Sequence, residues 1–221
     1  MNLKIYEMEH SPYCIPITQA LTALGVDFER VAVPNWDRSA VIQATGGAYY
    51  QVPVLQHGDK VIYESSDKSL DIAHYIDTEF AHGRLFPADS AGLQEILVEH
   101  IENELESYSF RLCDIHYLPA IDDLVDRTMT LRHKERRFGR DCVDRWGAEK
   151  VNLKAELDRL LARFDQTLRH REFLLGTIPQ YVDFALLGVL GNYTYRGYNK
   201  LAQDQNALAA WMERIRGFRY P

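Results

Sequence analysis

Hydrophobic and polar positions alternate differently in the two halves of the chain. Leu3–Met8 carries β formers at Ile5 and Tyr6 and reads as a first strand. Ser11 and Pro12 then supply an N-cap and a first helical residue. Ile17, Leu21 and Leu24 follow at helical spacing, with Gly25 as the stop. Phe28–Val33 is a second strand, and Asp37 caps a short helix through Ala44, closed by Gly46-Gly47. Val52–His57 and Lys60–Tyr63 flank the turn His57-Gly58-Asp59 and predict a hairpin. A helix is expected from about Ser66 to Glu79. The order β-α-β-α-β-β-α specifies a small mixed-sheet α/β unit.

Gly83 to Ser90, with Pro87, reads as a linker, and the pattern beyond it is helical almost throughout. Leu93, Leu97, Ile101 and Leu105 open a long helix. Leu153, Leu157, Leu160, Phe164 and Leu168 form a second apolar stripe, and Trp211, Ile215 and Phe218 mark the last helix. Two domains are expected, at residues 1–82 and 90–221.

Composition narrows the function classes. A formal net charge of −7 over 221 residues opposes a global nucleic-acid footprint. No apolar run reaches bilayer length, and the polar turn at Glu7 and Glu9 is unlike a signal peptide. A cytoplasmic protein with neither nucleic-acid nor membrane partner is expected. Cys14, Cys113 and Cys142 are too widely spaced for a disulfide or zinc framework. His100, His116, His133 and His170 lack ligand pairing, so no metal is expected.

Three features of the first half coincide. Ser11-Pro12-Tyr13-Cys14 lies between the first strand and the first helix. Gln51-Val52-Pro53-Val54-Leu55 opens the third strand, and Glu64-Ser65 closes the fourth, eleven residues after Pro53. Their order and spacing resemble the glutathione transferase superfamily of serine type, and its two-domain glutaredoxin relatives. The resemblance implies a thioredoxin-like N-terminal domain that binds glutathione as cosubstrate, and an all-helical C-terminal domain. It implies a homodimer and an enzyme that turns the glutathione thiol on a small hydrophobic electrophile.

By that resemblance Ser11 is the catalytic hydroxyl, at a helix N-terminus where a thiolate is stabilised. Val52-Pro53 matches a cis peptide whose Val52 backbone pairs with the tripeptide. Gln51, Glu64 and Ser65 receive the rest of glutathione. Each has a plainer reading: Ser11 as an N-cap only, Pro53 trans on an edge strand, Glu64 and Ser65 as ordinary helix-start residues.

Three positions depart from the family. Ser65 lies ten residues before Tyr75, so spacing from the following helix selects Ser69 for the γ-glutamyl group, while spacing from the strand selects Ser65. Pro16 falls in the second turn of the first helix and is expected to kink it. Cys14 occupies the place of the second glutaredoxin cysteine and suggests, as a weaker alternative, a thiol oxidoreductase. A non-catalytic binding protein with the same fold is a further alternative. Tyr6 reads as a packed strand residue.

In the second half, Asp183 reads as a structural capping residue, with Thr177 as its N-cap and Gln180 answering. The basic run Arg132 to Arg140 reads as a solvated face pairing with Glu102, Glu104 or Glu106, or as an anion site beside the cleft. Tyr193, Tyr195 and Tyr198 wall an acceptor pocket or seal the domain interface. Tyr108, Phe110, Arg111, His116 and Tyr117 lie in the region that lines the acceptor site in relatives.

Overall fold

The computed structural model describes residues 2–65 and 70–221. Strands β1 (Leu3–Glu7), β2 (Glu29–Ala32), β3 (Val54–His57) and β4 (Lys60–Ile62) form one sheet in the order β2-β1-β3-β4. β1 and β2 are parallel and the other two pairings antiparallel. His57 pairs with Lys60, so Gly58-Asp59 is a two-residue turn, and Gly58 takes the positive φ of 59° that the turn needs. Leu3, Ile5, Val54 and Leu55 are buried in the sheet.

Helices α1 (Cys14–Ala23), α2 (Ser39–Ala44) and α3 (Asp71–Ile76) complete the first unit. A wide turn, Asp77–Ala81, extends α3. The helical unit holds α4 (Ala91–His100), α5 (Glu106–Tyr117), α6 (Leu124–Phe138), α7 (Cys142–Ala148), α8 (Lys150–Leu168), α9 (Tyr181–Tyr193) and α10 (Asn206–Gly217). No helix among the described residues is long and apolar enough to cross a membrane.

The sequence misplaces the start of α1. Tyr13 is its N-cap, and the Ser11 carbonyl accepts from the Cys14 and Ile15 N–H groups, both at 3.1 Å. Ser11 still caps the turn that precedes the regular helix, since its Oγ also accepts from Tyr13 N–H at 3.3 Å, but Pro12 is not the first residue of the regular helix. Pro16 explains the shift. It has no N–H to give the Pro12 carbonyl, so the regular helix starts after that carbonyl. Pro16 then sits in the first turn, where its missing donor would have no partner in the helix. No kink in mid-helix is needed.

The Pro12 carbonyl and the Pro16 ring face α9 instead. A Cβ on Gly188 would lie 2.2 Å from the Pro12 oxygen and 2.6 Å from Pro16 Cγ. One turn on, a Cβ on Gly191 would lie 2.9 Å from Ile15 Cδ1. These two glycines let α9, whose residues are nearly all buried, meet α1 at backbone distance.

The stripe read on α4 is also shifted. Leu93 is exposed while Gln94 and Val98 are buried. Gln94 is held by two backbone bonds: Nε2 donates to the Leu85 carbonyl at 3.0 Å, and Oε1 accepts from Val182 N–H at 3.1 Å. A glutamine bonded through both its amide nitrogen and its amide oxygen thus takes an interior place in preference to a leucine. Ile101 and Leu105 are buried as read, after a wide turn (Ile101–Leu105) between α4 and α5. All five stripe residues of α8 are buried.

Gln180, not Thr177, is the N-cap of α9, and its N–H donates to Asp183 Oδ2 at 3.0 Å. Asp183 Oδ1 accepts from Leu174 N–H at 2.9 Å and Trp211 Nε1–H at 3.2 Å. Asp183 is thus structural, and burial raises its pKa to about 6.

Candidate functional site

The end of β1 leads into a tight connection, in which Ser11 N–H donates to the Met8 carbonyl at 2.9 Å. The Ser11 side chain lies inward: the residue is 8% exposed, and its Oγ accepts from Tyr13 N–H at 3.3 Å. Beneath it Cys14 is fully buried. Burial pushes its thiol up to about 12, against relief from the Met8 backbone and the Ser11 hydroxyl. A thiol so placed is no nucleophile at neutral pH.

Facing this connection, the Val52-Pro53 peptide is cis and leads into β3. Glu64 follows β4, and its carboxylate accepts from the N–H groups of Asp71 at 2.7 Å and Ile72 at 3.4 Å. Asp71 reciprocates, accepting from Ser65 N–H at 2.8 Å and Ser65 Oγ–H at 2.9 Å. This exchange locks the end of the sheet to the start of α3. Burial raises the Glu64 pKa to about 7, although the two backbone donors favour its charged form.

Gln51, Val52, Pro53 and Glu64 line one cavity of about 550 Å³, with Tyr13 from the α1 connection and Arg137 from α6. The structure thus brings together four of the six expected site residues. Ser11 and Ser65 lie next to this cavity's wall residues but do not line it. Ser69 and the segment 66–69 lie outside the described residues.

A second cavity of about 520 Å³ is lined by Glu9, His10, Asn35, Tyr117 and Tyr195 among others. His10 packs between Tyr117, at 4.1 Å between ring centroids, and Tyr195, at 5.4 Å. Burial and the Lys134 charge lower its pKa to about 4, so its ring is neutral at pH 7. Asn192 Nδ2 donates to the His10 carbonyl at 2.8 Å, and the Tyr195 hydroxyl donates to Glu9. Of the aromatic candidates, Tyr117 and Tyr195 face a cavity, whereas Tyr193 is buried and Phe110 packs between Phe138 and Trp146. Tyr6 is a strand residue whose hydroxyl donates to Gln56 Oε1 at 3.0 Å.

Two family models match this chain. One, described as glutathione S-transferase, N-terminal domain, covers residues 5–84, and the other, glutathione S-transferase, C-terminal domain, covers residues 126–217. The chain belongs to the glutathione transferase superfamily. A probable glutathione S-transferase of Oryza sativa subsp. japonica, GSTU6, is 25% identical over 223 residues, covering 97% of this chain and 84% of the rice protein. Among solved structures, glutathione transferase GSTFuA3 from Phanerochaete chrysosporium superposes with a TM-score of 0.81 at 16% identity, covering 100% of this chain and 98% of its own. A rice transferase, GST1, solved in complex with glutathione, gives a TM-score of 0.64 at 20% identity, covering 97% and 87%.

The wall residues Tyr13, His10, Trp36 and Arg38 are ones that sequence reasoning does not single out as site residues. The Arg132 to Arg140 run divides by position. His133, Arg136 and Arg137 sit at i, i+3 and i+4, a spacing that places them on one side of α6. Arg132, on α6, and Arg140, just beyond its end, pair with Glu135, not with the expected Glu102, Glu104 or Glu106.

Proposed function

We propose that this transferase binds glutathione in the cavity between the cis-proline edge and Glu64, and ionises its thiol beside Ser11. The observation that carries the reading is the convergence of Val52-Pro53, Glu64 and the α1 N-terminus on one cavity. The Val52 backbone is suited to pair with the cysteinyl backbone as an added strand. Glu64 offers a half-buried carboxylate to the γ-glutamyl ammonium, and Gln51 offers an amide to the glycyl end. Ser65 acts through Asp71, by holding the α3 N-terminus in place.

The sulfur then lies near the first N–H groups of α1. Rotation of Ser11 between staggered χ1 wells turns its hydroxyl from the Tyr13 N–H toward that sulfur. A hydroxyl donor and a helix N-terminus both favour thiolate over thiol. Lowering a thiol pKa from about 8.5 toward 6–7 makes the thiolate the major form at neutral pH. The electrophile is taken in the second cavity, beside His10, Tyr117 and Tyr195. The thiolate sulfur there bonds the acceptor carbon as the leaving group departs with its bonding pair or, in addition to a double bond, as water protonates the neighbouring carbon.

A second donor deserves a place in the test. Tyr13 lines the cavity where Ser11 does not, and burial with the Glu106 and Glu102 charges raises its pKa. Its phenol therefore stays protonated and able to donate. A thiol oxidoreductase working through Cys14 is disfavoured by the burial of that sulfur.

Calorimetric titration with glutathione, paired with conjugation assays on an aryl halide, tests the reading. Wild type should bind and conjugate, and Ser11→Ala should bind but lose about 10²–10³ in rate. A protein that binds no glutathione is a scaffold with this fold. Sedimentation should give a homodimer.

A further inference from the structure

Asn192, near the end of α9, lines neither the glutathione cavity nor the cavity beside His10. The residue is 3% exposed, in a stretch whose neighbours Val189, Leu190 and Tyr193 are also buried. With Gly188 and Gly191 it occupies positions i, i+3 and i+4, so the three share one face of the helix. The two glycines leave room at that face for the Pro12 carbonyl and the Ile15 side chain. Asn192 uses the close approach: its Nδ2 reaches from the helical unit to the first unit and donates to the His10 carbonyl at 2.8 Å.

An amide is an unfavourable choice for this place on other grounds. Its Oδ1 is buried and, among the described residues, has no hydrogen-bond partner. Exchanging oxygen and nitrogen gives no relief, because the oxygen would then face the His10 carbonyl oxygen and two acceptors would meet. Asparagine is also among the poorer helix formers. An alanine would serve the helix better and leave no orphaned acceptor on α9. What the asparagine supplies is one donor, aimed at the carbonyl directly before Ser11.

That donor completes a rigid frame. The His10 carbonyl and the Ser11 N–H belong to one peptide unit, which is planar. Its oxygen is held by Asn192 at 2.8 Å, and its N–H donates to the Met8 carbonyl at 2.9 Å. A plane tied at both polar ends resists tilting about the line joining its two Cα atoms, so the Ser11 side chain leaves the backbone in a fixed direction. The Ser11 carbonyl is tied separately, by the Cys14 and Ile15 N–H groups at 3.1 Å. Of these holds, that of Asn192 alone comes from the helical unit. The Tyr195 hydroxyl also reaches across, but to the Glu9 side chain, which leaves the peptide plane free. Misplacing a reacting group by about 1 Å costs about 10²-fold in rate.

We infer that Asn192 is a positioning residue, which fixes the His10–Ser11 peptide plane from the helical unit and so sets the Ser11 hydroxyl toward the glutathione sulfur. The chemistry rests on the Ser11 reading, but the fixing of the plane can be tested without glutathione. Asn199 supplies the control. It is likewise buried, and its Nδ2 donates to the Leu112 and Tyr193 carbonyls at 3.0 Å each, neither of them in the Ser11 connection.

Amide hydrogen exchange of the unliganded full chain should quicken about tenfold at the Ser11 N–H in Asn192→Ala and stay at the wild-type rate in Asn199→Ala. With glutathione bound, the thiol pKa read by ultraviolet absorbance should rise by about 1 pH unit in Asn192→Ala and not in Asn199→Ala. Affinity for S-methylglutathione, which has no thiol, should be unchanged in both. In the Ser11→Ala background Asn192→Ala should add nothing to the thiol pKa, since a residue that acts through the hydroxyl has no effect once the hydroxyl is gone. Asn192→Ser, whose hydroxyl stops short of the carbonyl, carries the same expectations should the alanine variant fail to fold. An unchanged thiol pKa in Asn192→Ala, a further rise in the double variant, or an equal rise in Asn199→Ala overturns the inference. Wild-type exchange at the Ser11 N–H in Asn192→Ala overturns it as well. A wild type that binds no glutathione overturns the Ser11 reading, and faster exchange in Asn192→Ala then still upholds the pinned plane.

Discussion

Gly188→Ala separates helix propensity from packing, because the two predict opposite signs. In an isolated helix the change stabilises by about 1 kcal/mol. In α9 the added methyl would sit 2.2 Å from the Pro12 oxygen and 2.6 and 2.7 Å from Pro16 Cγ and Cδ. Carbon atoms do not approach a backbone oxygen closer than about 3 Å, so α1 and α9 must part by about 0.8 Å. A gap of that size forfeits a quarter to a half of the dispersion energy across the contact. Overpacking of this kind costs about 1–3 kcal/mol, and the upper part of that range, about 2–3 kcal/mol, applies here because the obstacle is backbone and a proline ring, with no rotamer to yield. The net expectation is a loss of about 1–2 kcal/mol. At about 2–4 °C per kcal/mol for a chain of this size, Tm should fall by about 5 °C at fixed protein concentration. Gly147→Ala is the control. Gly147 is an exposed helical position whose added Cβ meets nothing within 4 Å, so its Tm should hold or rise. Differential scanning calorimetry reads both. The strained contact lies one residue from Ser11, so Gly188→Ala should also weaken glutathione binding at temperatures where the protein is folded. A Tm for Gly188→Ala at or above wild type would refute the reasoning.

Asp183→Ala removes the acceptor for three N–H groups, from Leu174, Gln180 and Trp211, and should cost about 3–5 kcal/mol by denaturant titration. Because its folded pKa is about 6 against an ordinary value of 3.8, Asp183 makes stability fall as pH rises between those values. The unfolded chain releases its proton there first. Glu64, at about 7, should titrate with glutathione binding: an ammonium beside it lowers its pKa, so protons are released on binding and affinity rises as pH rises toward 7. Calorimetry in buffers of different ionisation enthalpy checks this, and Glu64→Gln should abolish the proton release and weaken binding about tenfold. Cys14 should resist alkylation in the folded protein, reacting only on unfolding, since its thiol is fully buried and pushed up to about 12.

The parts of this architecture legible in the sequence are those governed by local rules. The α8 stripe Leu153, Leu157, Leu160, Phe164 and Leu168 is amphipathic with one clean face, and each residue is buried. The Gly58 turn and the Gly25 stop follow from the positive φ they require. Gln51, Val52, Pro53 and Glu64 share one cavity because strand, turn and strand bring them together within a short length of chain. The start of α1 was harder, since Ser11-Pro12 has the composition of a helix start, whereas Pro16 fixes it one step later through a missing donor. Gln94 is buried by bonds to residues 85 and 182, which no periodicity encodes. The docking of Arg137 and His133 over residues 51–52 joins segments some 80 positions apart, and only the tertiary packing of α6 determines it. Their shared helix face was readable, but not what it faced.

The central claim, that Ser11 ionises a glutathione thiol held in this cleft, meets its most direct test in an ultraviolet absorbance titration of the bound thiolate. Wild type and Tyr13→Phe should both show a thiol pKa about 1–2 units below that of free glutathione, and Ser11→Ala should return it toward the free value. A bound thiol that titrates identically in wild type and Ser11→Ala, or whose pKa recovers only in Tyr13→Phe, would contradict the assignment.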